Sequence, residues 1–437
     1  MKKKMLGAAA LACAIAAFLL TGCLGNSREI KAAGTKRTEG LTAVAEQTGE
    51  LTAGTDQTAE AATGTKDGSA GASPPEVKEK GDGREDRLTG EPIRIGAIYA
   101  LSGNNAAIGT NILRGIDFAV EDINMAGGVN GRPIEIVRGD TQGNPEVARA
   151  VAERLITQDK VHAIVGCHQS TLTEIVFEVC ESYKIPMITA ISTVDSISSH
   201  NYEYSFRLCP MNSLYLENMF MYLRDQAKKT GSQVKTIAVF ADNSMIGQEA
   251  IRCARIYAPQ YGMEIVEEIQ YRQGAADLRD EIQALKEADA DAVLAESYVS
   301  DAILLMKTMQ EQDYRPPILI AKANGFADPS FIPATEGISN GLTSVVEWNP
   351  DMTKGRDINK RFKRVFGIDM NGHSAEAYTA IWTFKTAFEQ AGTDDGEAVR
   401  DALAPMDRRS SFLMTGSSLR ITSSTGPCIT IIISVPP

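Results

Sequence analysis

The residues of this 437-residue chain that could make or break bonds are few, and their spacing argues against each reaction in turn. Cys167 and His168 are chain neighbours, and a thiol beside an imidazole is a nucleophile with its base. Adjacent side chains usually point apart, so the pair is not expected to assemble. His162, His168, His200 and His373 show no metal-ligand spacing, and Asp289 and Asp291 lack the rest of a calcium loop. No GxSxG, GxxxxGK[ST] or GxGxxG string occurs. Met306 and Met309 read as core residues of a helix. The chain is therefore read as a binder rather than an enzyme, with no cofactor and no metal.

The elements that must position a binding site begin after a long leader. Met1-Lys-Lys-Lys precedes an apolar run from Met5 to Leu20, too short to span a bilayer comfortably, which reads as a secretion signal over residues 1–22. It ends in Leu20-Thr-Gly-Cys23, a pattern that resembles the bacterial lipobox, with Cys23 as the lipidation site. Residues 23–91, rich in Thr, Gly, Ala, Glu and Lys, cannot bury a core and are expected to form a disordered tether. The chain is then extracytoplasmic and lipid-anchored to the cell membrane rather than spanning it. The net charge of −12 argues against nucleic acid as a partner and leaves a small solute or a protein. Cys167, Cys180, Cys209, Cys253 and Cys428 form no CxxC pattern, and their odd number and apolar neighbours favour buried free thiols over disulfides.

From Ile93 onward, apolar strand-like runs alternate with amphipathic helical stretches, the signature of parallel sheets with crossover helices. Ile112, Ile116, Ala119, Val120 and Ile123 share one face of a helix over 106–125 that Gly127-Gly128 stops. The alternation restarts after Pro210, predicting an α/β fold of two doubly wound parallel-sheet lobes joined by a hinge. A ligand cleft is expected beyond the strand ends.

Gly96-Ala-Ile-Tyr-Ala-Leu-Ser-Gly103, Gly115-Ile-Asp-Phe-Ala-Val-Glu-Asp-Ile-Asn124, Ala126-Gly-Gly-Val-Asn-Gly131 and Ile188-Thr-Ala, in that order, resemble the leucine/isoleucine/valine-binding protein family, the type I periplasmic-binding fold. The resemblance runs to about Met406. It implies an N-terminal lobe of 92–209 and 347–405 and a C-terminal lobe of 210–346, with three crossings near Pro210, near Val346 and after Pro405. It implies a monomer that captures an amino acid or related small amide or amine and delivers it to an ABC transporter permease. A ligand-sensing module read by a receptor or kinase is the alternative, since fold alone does not separate the two.

Residue by residue, the resemblance places the ligand's carboxylate on Ser170 and Thr193, with Ile191 beside them. Ser170 also precedes a helix whose free N–H groups favour an anion, and a simple capping serine is the other reading. Tyr298 would stack on the ligand, and Asn105 and Ile246 would set side-chain specificity. The carboxylate that receives the ligand's ammonium in the family falls here on Asn324. A neutral amide gives up the charge-assisted bond, so another acid compensates or the ligand is not a standard α-amino acid. Asp242 and Glu296, at strand ends, are the candidates, and a solvated surface acid is the plain reading of each.

Residues 406–437 break the pattern. They lack the charges and turns expected of the final strands, and a displaced reading frame near Ser411-Phe-Leu-Met-Thr-Gly416 would explain it. On that reading the second lobe lacks its last strands and exposes an Ile-rich end.

Overall fold

The computed structural model describes residues 88–231, 233–350, 355–406, 421–422 and 429–432; of 227–230, 323–324, 421–422 and 429–432 it describes the backbone alone. The signal, Cys23, the tether as far as residue 87, Cys428 and most of the tail lie outside the described residues.

Buried β-branched runs form the strands, and amphipathic stretches return the chain across the sheet. The first lobe contains β1 (Ile93–Tyr99), α1 (Ala106–Met125), β2 (Ile134–Asp140), α2 (Pro145–Thr157), β3 (Ala163–Gly166), α3 (Ser170–Tyr183), β4 (Met187–Thr189) and β5 (Ser205–Arg207). Its strands pair in parallel in the order β2-β1-β3-β4-β5. The chain then builds α4 (Asn212–Thr230), β6 (Thr236–Asp242), α5 (Met245–Gln260), β7 (Glu264–Tyr271), α6 (Arg279–Ala288), β8 (Ala292–Glu296), α7 (Val299–Glu311), β9 (Leu319–Lys322), α8 (Ala323–Phe326), α9 (Phe331–Thr335) and β10 (Thr343–Val346). It returns to the first lobe as α10 (Arg356–Phe366), α11 (Gly372–Ala391) and α12 (Gly396–Leu403), whose Phe362, Phe384, Phe388 and Val399 join the core around β1. Two strands follow, β11 (Ile421–Thr422) and β12 (Ile429–Ile432), so the second sheet runs β11-β12-β10-β9-β8-β6-β7. All its pairs are parallel except β11 with β12.

Two expectations are corrected. The last four residues assigned to the disordered tether belong to the folded body: Thr89 N donates to Gly131 O at 3.1 Å and Arg132 Nε donates to Glu91 O at 2.7 Å. The second sheet also receives strands from the tail, because Ile429–Ile432 pairs in parallel with Thr343–Val346. Ladder bonds are made by backbone, so a β-branched segment can extend a sheet whatever the charges and turns around it.

The first lobe's sheet is covered by α1 packed on α11. Ile108, Ile112, Ile116, Ala119 and Ile123 of α1 are buried, and Gly115 lets the helices approach until a Cβ there would collide with the Ser374 carbonyl. Gly115→Ala therefore forces the helices apart. The overpacking should outweigh the gain in helix propensity and cost roughly 1–3 kcal/mol, read as a lower urea midpoint of unfolding.

Candidate ligand-binding cleft

In an open parallel sheet, the space beyond the carboxyl ends of the strands at which the order reverses is free of crossovers. In the first sheet these strands are β1 and β3; in the second they are β6 and β8. The loops that leave them meet between the lobes. A small cavity of about 20 Å³ lies there, lined from the first lobe by His168, Ile191, Thr193, His373 and Glu376, and from the second by Tyr215, Ile246, Tyr298, Lys322 and Glu347. A wider pocket of about 360 Å³ has Asn105, Gln169 and Gly274 on its walls and shares Tyr298 with the first.

The centre of the inner cavity is Lys322, the last residue of β9, only 2% exposed. Its Nζ donates to Thr193 Oγ1 across the cleft at 2.6 Å, lies 3.7 Å from Glu296 Oε2 and sits 4.8 Å from the centre of the Tyr215 ring. A hydroxyl that accepts from an amine keeps its own proton to donate, so Thr193 presents a hydroxyl donor to the cleft beside a cation. The lobes also touch where Asp195 N donates to Glu249 Oε2 at 2.9 Å and where the His168 and Tyr298 rings meet edge to face at 5.4 Å. Ile246 and Tyr298, carried by the second lobe, pack into the apolar core of the first.

Two carboxyl groups line the cavity, Glu347 after β10 and Glu376 on α11. Glu347 follows β10 and accepts from Tyr215 Oη at 2.8 Å; any side chain at Gly372 would occupy the space of its carboxylate. Burial pushes the Glu347 carboxyl above the usual range, with Tyr215 and Lys322 acting against that rise. Glu376 is raised well above the usual range by burial and then by the Glu347 charge. One turn before it, burial followed by the Lys322 charge takes His373 down to about 4, which leaves its ring neutral.

These loops match a known pattern over most of the chain. Residues 92–426 match the periplasmic binding protein family. The chain belongs to this family, in its type I, leucine/isoleucine/valine-binding branch. It is 27% identical over 328 residues to the Leu/Ile/Val-binding protein homolog 7 of Brucella suis biovar 1, covering 72% of this chain and 81% of that one. It shares its fold with the branched-chain amino acid transporter substrate-binding protein of Streptococcus pneumoniae in complex with isoleucine: TM-score 0.65, 20% identity, 78% of this chain and 94% of that one. A solute-binding protein of Rhodopseudomonas palustris in complex with 3,4-dihydroxybenzoic acid has the same fold: TM-score 0.64, 20% identity, 71% of this chain and 84% of that one. The family is one of solute binders. No helix among the described residues is long and apolar enough to cross a membrane.

Within this family frame the structure gathers some of the expected residues and disperses others. Thr193, Ile191, Ile246 and Tyr298 line the inner cavity, and Asn105 lines the outer one. Ser170 is buried as the first residue of α3 and lines neither; its neighbours His168 and Gln169 line the inner and the outer cavity respectively. Asp242 is fully buried at the end of β6, where Oδ1 accepts from Ser244 N at 2.8 Å, and it reaches neither cavity. Glu296 is committed to Lys322. Neither acid is therefore a surface group. Asn324 itself, in α8, is described by backbone alone.

Sequence reasoning passed over Lys322, Tyr215, Glu347 and Glu376, and met His168 and His373 only as histidines without metal-ligand spacing, His168 also as an unsuited base. The available signals were a lysine ending an apolar strand run and a His-x-x-Glu spacing that puts 373 and 376 on one helical face. The nucleophile reading finds no support: Cys167 is buried and burial raises its thiol far above the usual range. Cys180, Cys209 and Cys253 are buried free thiols as well, with Cys209 pushed up to about 12 and Cys253 to about 11 by burial.

Removing the central cation tests its structural weight. Lys322→Met removes the cation that Glu296 is paired with in the interior and should cost about 3–5 kcal/mol of unfolding free energy in urea titration. Adding Glu296→Gln to that variant should restore a large part of the loss.

Proposed function

We propose that this protein is an extracytoplasmic solute-binding lipoprotein that captures an amino acid, or a related small amide or amine, by hinge closure and hands it to an ABC permease. The observation that carries the proposal is the cavity between the lobes, where Thr193 and Lys322 from opposite sides converge with the aromatic faces of Tyr215 and Tyr298. Contacts made by both lobes at once exist only when the lobes are together, so a ligand bridging them shifts an open-to-closed equilibrium. The inner cavity is far smaller than an amino acid, and room for one comes from parting of the lobes. The relatives support the solute class: the Brucella protein carries Leu/Ile/Val-binding in its name, and the streptococcal structure holds isoleucine. Within the site, Thr193 takes the ligand's carboxylate, Tyr298 stacks on its backbone, and Ile191, Ile246 and Asn105 shape the space for its side chain. Cys23 carries the lipid that holds the monomeric protein at the membrane.

Thermal-shift screening of the purified protein against amino acids and their amides should find a stabilising ligand. Thr193→Val should weaken its binding roughly tenfold or more, the usual effect of losing a hydrogen bond to a charged group. Ser170→Ala should stay within about threefold, because Ser170 lines neither cavity. Loss of binding in Ser170→Ala with Thr193→Val unaffected would reverse the assignment.

The anchor is checked separately. Cells fed labelled palmitate should incorporate it into the wild-type protein and not into Cys23→Ala, which should appear in the soluble extracytoplasmic fraction. Equal membrane retention of both would exclude lipidation at Cys23.

A further inference from the structure

The first two turns of α11 place two acceptors on the cavity. His373 lies in the first turn and Glu376 three residues on, a spacing that sets them on one helical face. Both line the inner cavity. The His373 ring is only 8% exposed, and its Nδ1 is buried without a hydrogen-bond partner. Glu376 has neither a hydrogen bond nor an ion pair among the described residues, unlike the other cavity acid, Glu347, which is held by Tyr215. A buried acceptor without a partner, as His373 Nδ1 is, is costly, and a half-buried carboxyl lining the same small space adds a second place for a donor brought from outside.

The rest of the cavity says which donor. Lys322 is already held by Thr193, Glu296 and the Tyr215 ring, and its charge acts on Glu376 without forming an ion pair with it, so it offsets only part of the rise that burial and Glu347 impose. The imidazole of His373 is neutral, held down by burial, and offers a lone pair rather than a second positive charge. Tyr215, whose ring already faces Lys322, and Tyr298, whose ring meets His168 edge to face, complete the aromatic part of the lining. No group of three or more His, Cys, Asp or Glu able to hold a metal exists among the described residues, so the cation is not a protein-chelated metal ion.

We propose that His373 and Glu376 form the cation-receiving end of the cleft: the ligand carries a positively charged nitrogen that donates to His373 Nδ1 and to the Glu376 carboxylate. This rests on the capture reading above and narrows it. Among structures of the same fold, one holds isoleucine, which carries an ammonium, and another holds 3,4-dihydroxybenzoic acid, which does not. The acceptors on α11 put this chain with the amine-bearing class. They also supply the acid that the Asn324 position lacks, from the opposite lobe. Burial and then the Glu347 charge raise the Glu376 carboxyl, with Lys322 acting against that rise, so a bound cation favours its ionised form. The charged and titratable groups that line the cavity with it are Glu347, Lys322, His168, His373, Tyr215 and Tyr298.

The test is isothermal titration of the full chain with the twenty amino acids, 4-methylpentanoate (leucine without its amine), benzoate and 3,4-dihydroxybenzoate. Wild-type protein should bind an amino acid roughly 100-fold or more tightly than the same skeleton without the amine, a comparison that requires no variant. Glu376→Gln should weaken amino-acid binding by roughly 10- to 100-fold, the range for a hydrogen bond to a charged group, without weakening any residual binding of the amine-free acid. The unliganded variant should melt no lower than wild type, since it loses a desolvated carboxyl. Amino-acid affinity should also rise with pH in wild type and lose that slope in Glu376→Gln. Equal amino-acid binding by Glu376→Gln and wild type overturns the proposal. Tight binding of benzoate or 4-methylpentanoate alone also overturns it, while leaving solute capture standing. Binding of nothing in the panel defeats the capture reading, and this inference with it.

Discussion

A lysine buried at the end of a central strand sets the terms for the rest of the cleft. Lys322 terminates β9 between two apolar layers, and an amine removed from water needs partners at close range. It finds them on three sides: Glu296 from the neighbouring strand, the ring of Tyr215 from α4, and the hydroxyl of Thr193 from the opposite lobe. The last of these is available only while the lobes are together. Accommodation of the charge and contact between the lobes are therefore coupled in this structure.

The second constraint is α11. This helix is buried along much of its length, packs on α1 at Gly115, and starts at Gly372, where the Glu347 carboxylate from the hinge leaves no space for a side chain. An Asn371–Ser374 capping box fixes its first turn. His373 and Glu376 thus project from a helix start held by a cap, by packing against α1 and by contact with the second lobe. Acceptors mounted this way lose little freedom on binding, which is the economy of a preorganised site.

Much of the architecture was legible from period and punctuation. The helix read over 106–125 coincides with α1, since its apolar residues recur at helical spacing and Gly127-Gly128 follows with φ of +106° and +67°. The short elements α8, α9, β10 and α12 carried too few residues for a period to register. In the site, Thr193 and Tyr298 could be placed because the family resemblance fixes them to loops at strand ends. Ser170, expected just ahead of a helix, is instead the first residue of α3, because local sequence does not fix a helix boundary to the residue. Asp242 and Glu296 looked like free acids because a sequence shows neither the Ser244 amide that one accepts from nor the lysine that the other pairs with.

The amino-acid sequence alone determined the alternation of strand and helix, the two-lobed parallel architecture, the family and the position of the cleft, because hydrophobic period, turn residues and ordered motifs act locally. Tertiary structure decided which side chains share the cleft. Lys322 and Thr193 are 129 residues apart, and Glu347 and Tyr215 are 132 apart. Whether a charge is paired, desolvated or left with an open acceptor depends on neighbours that only the folded chain brings within a few ångströms, and that decides the chemistry the cleft can recognise.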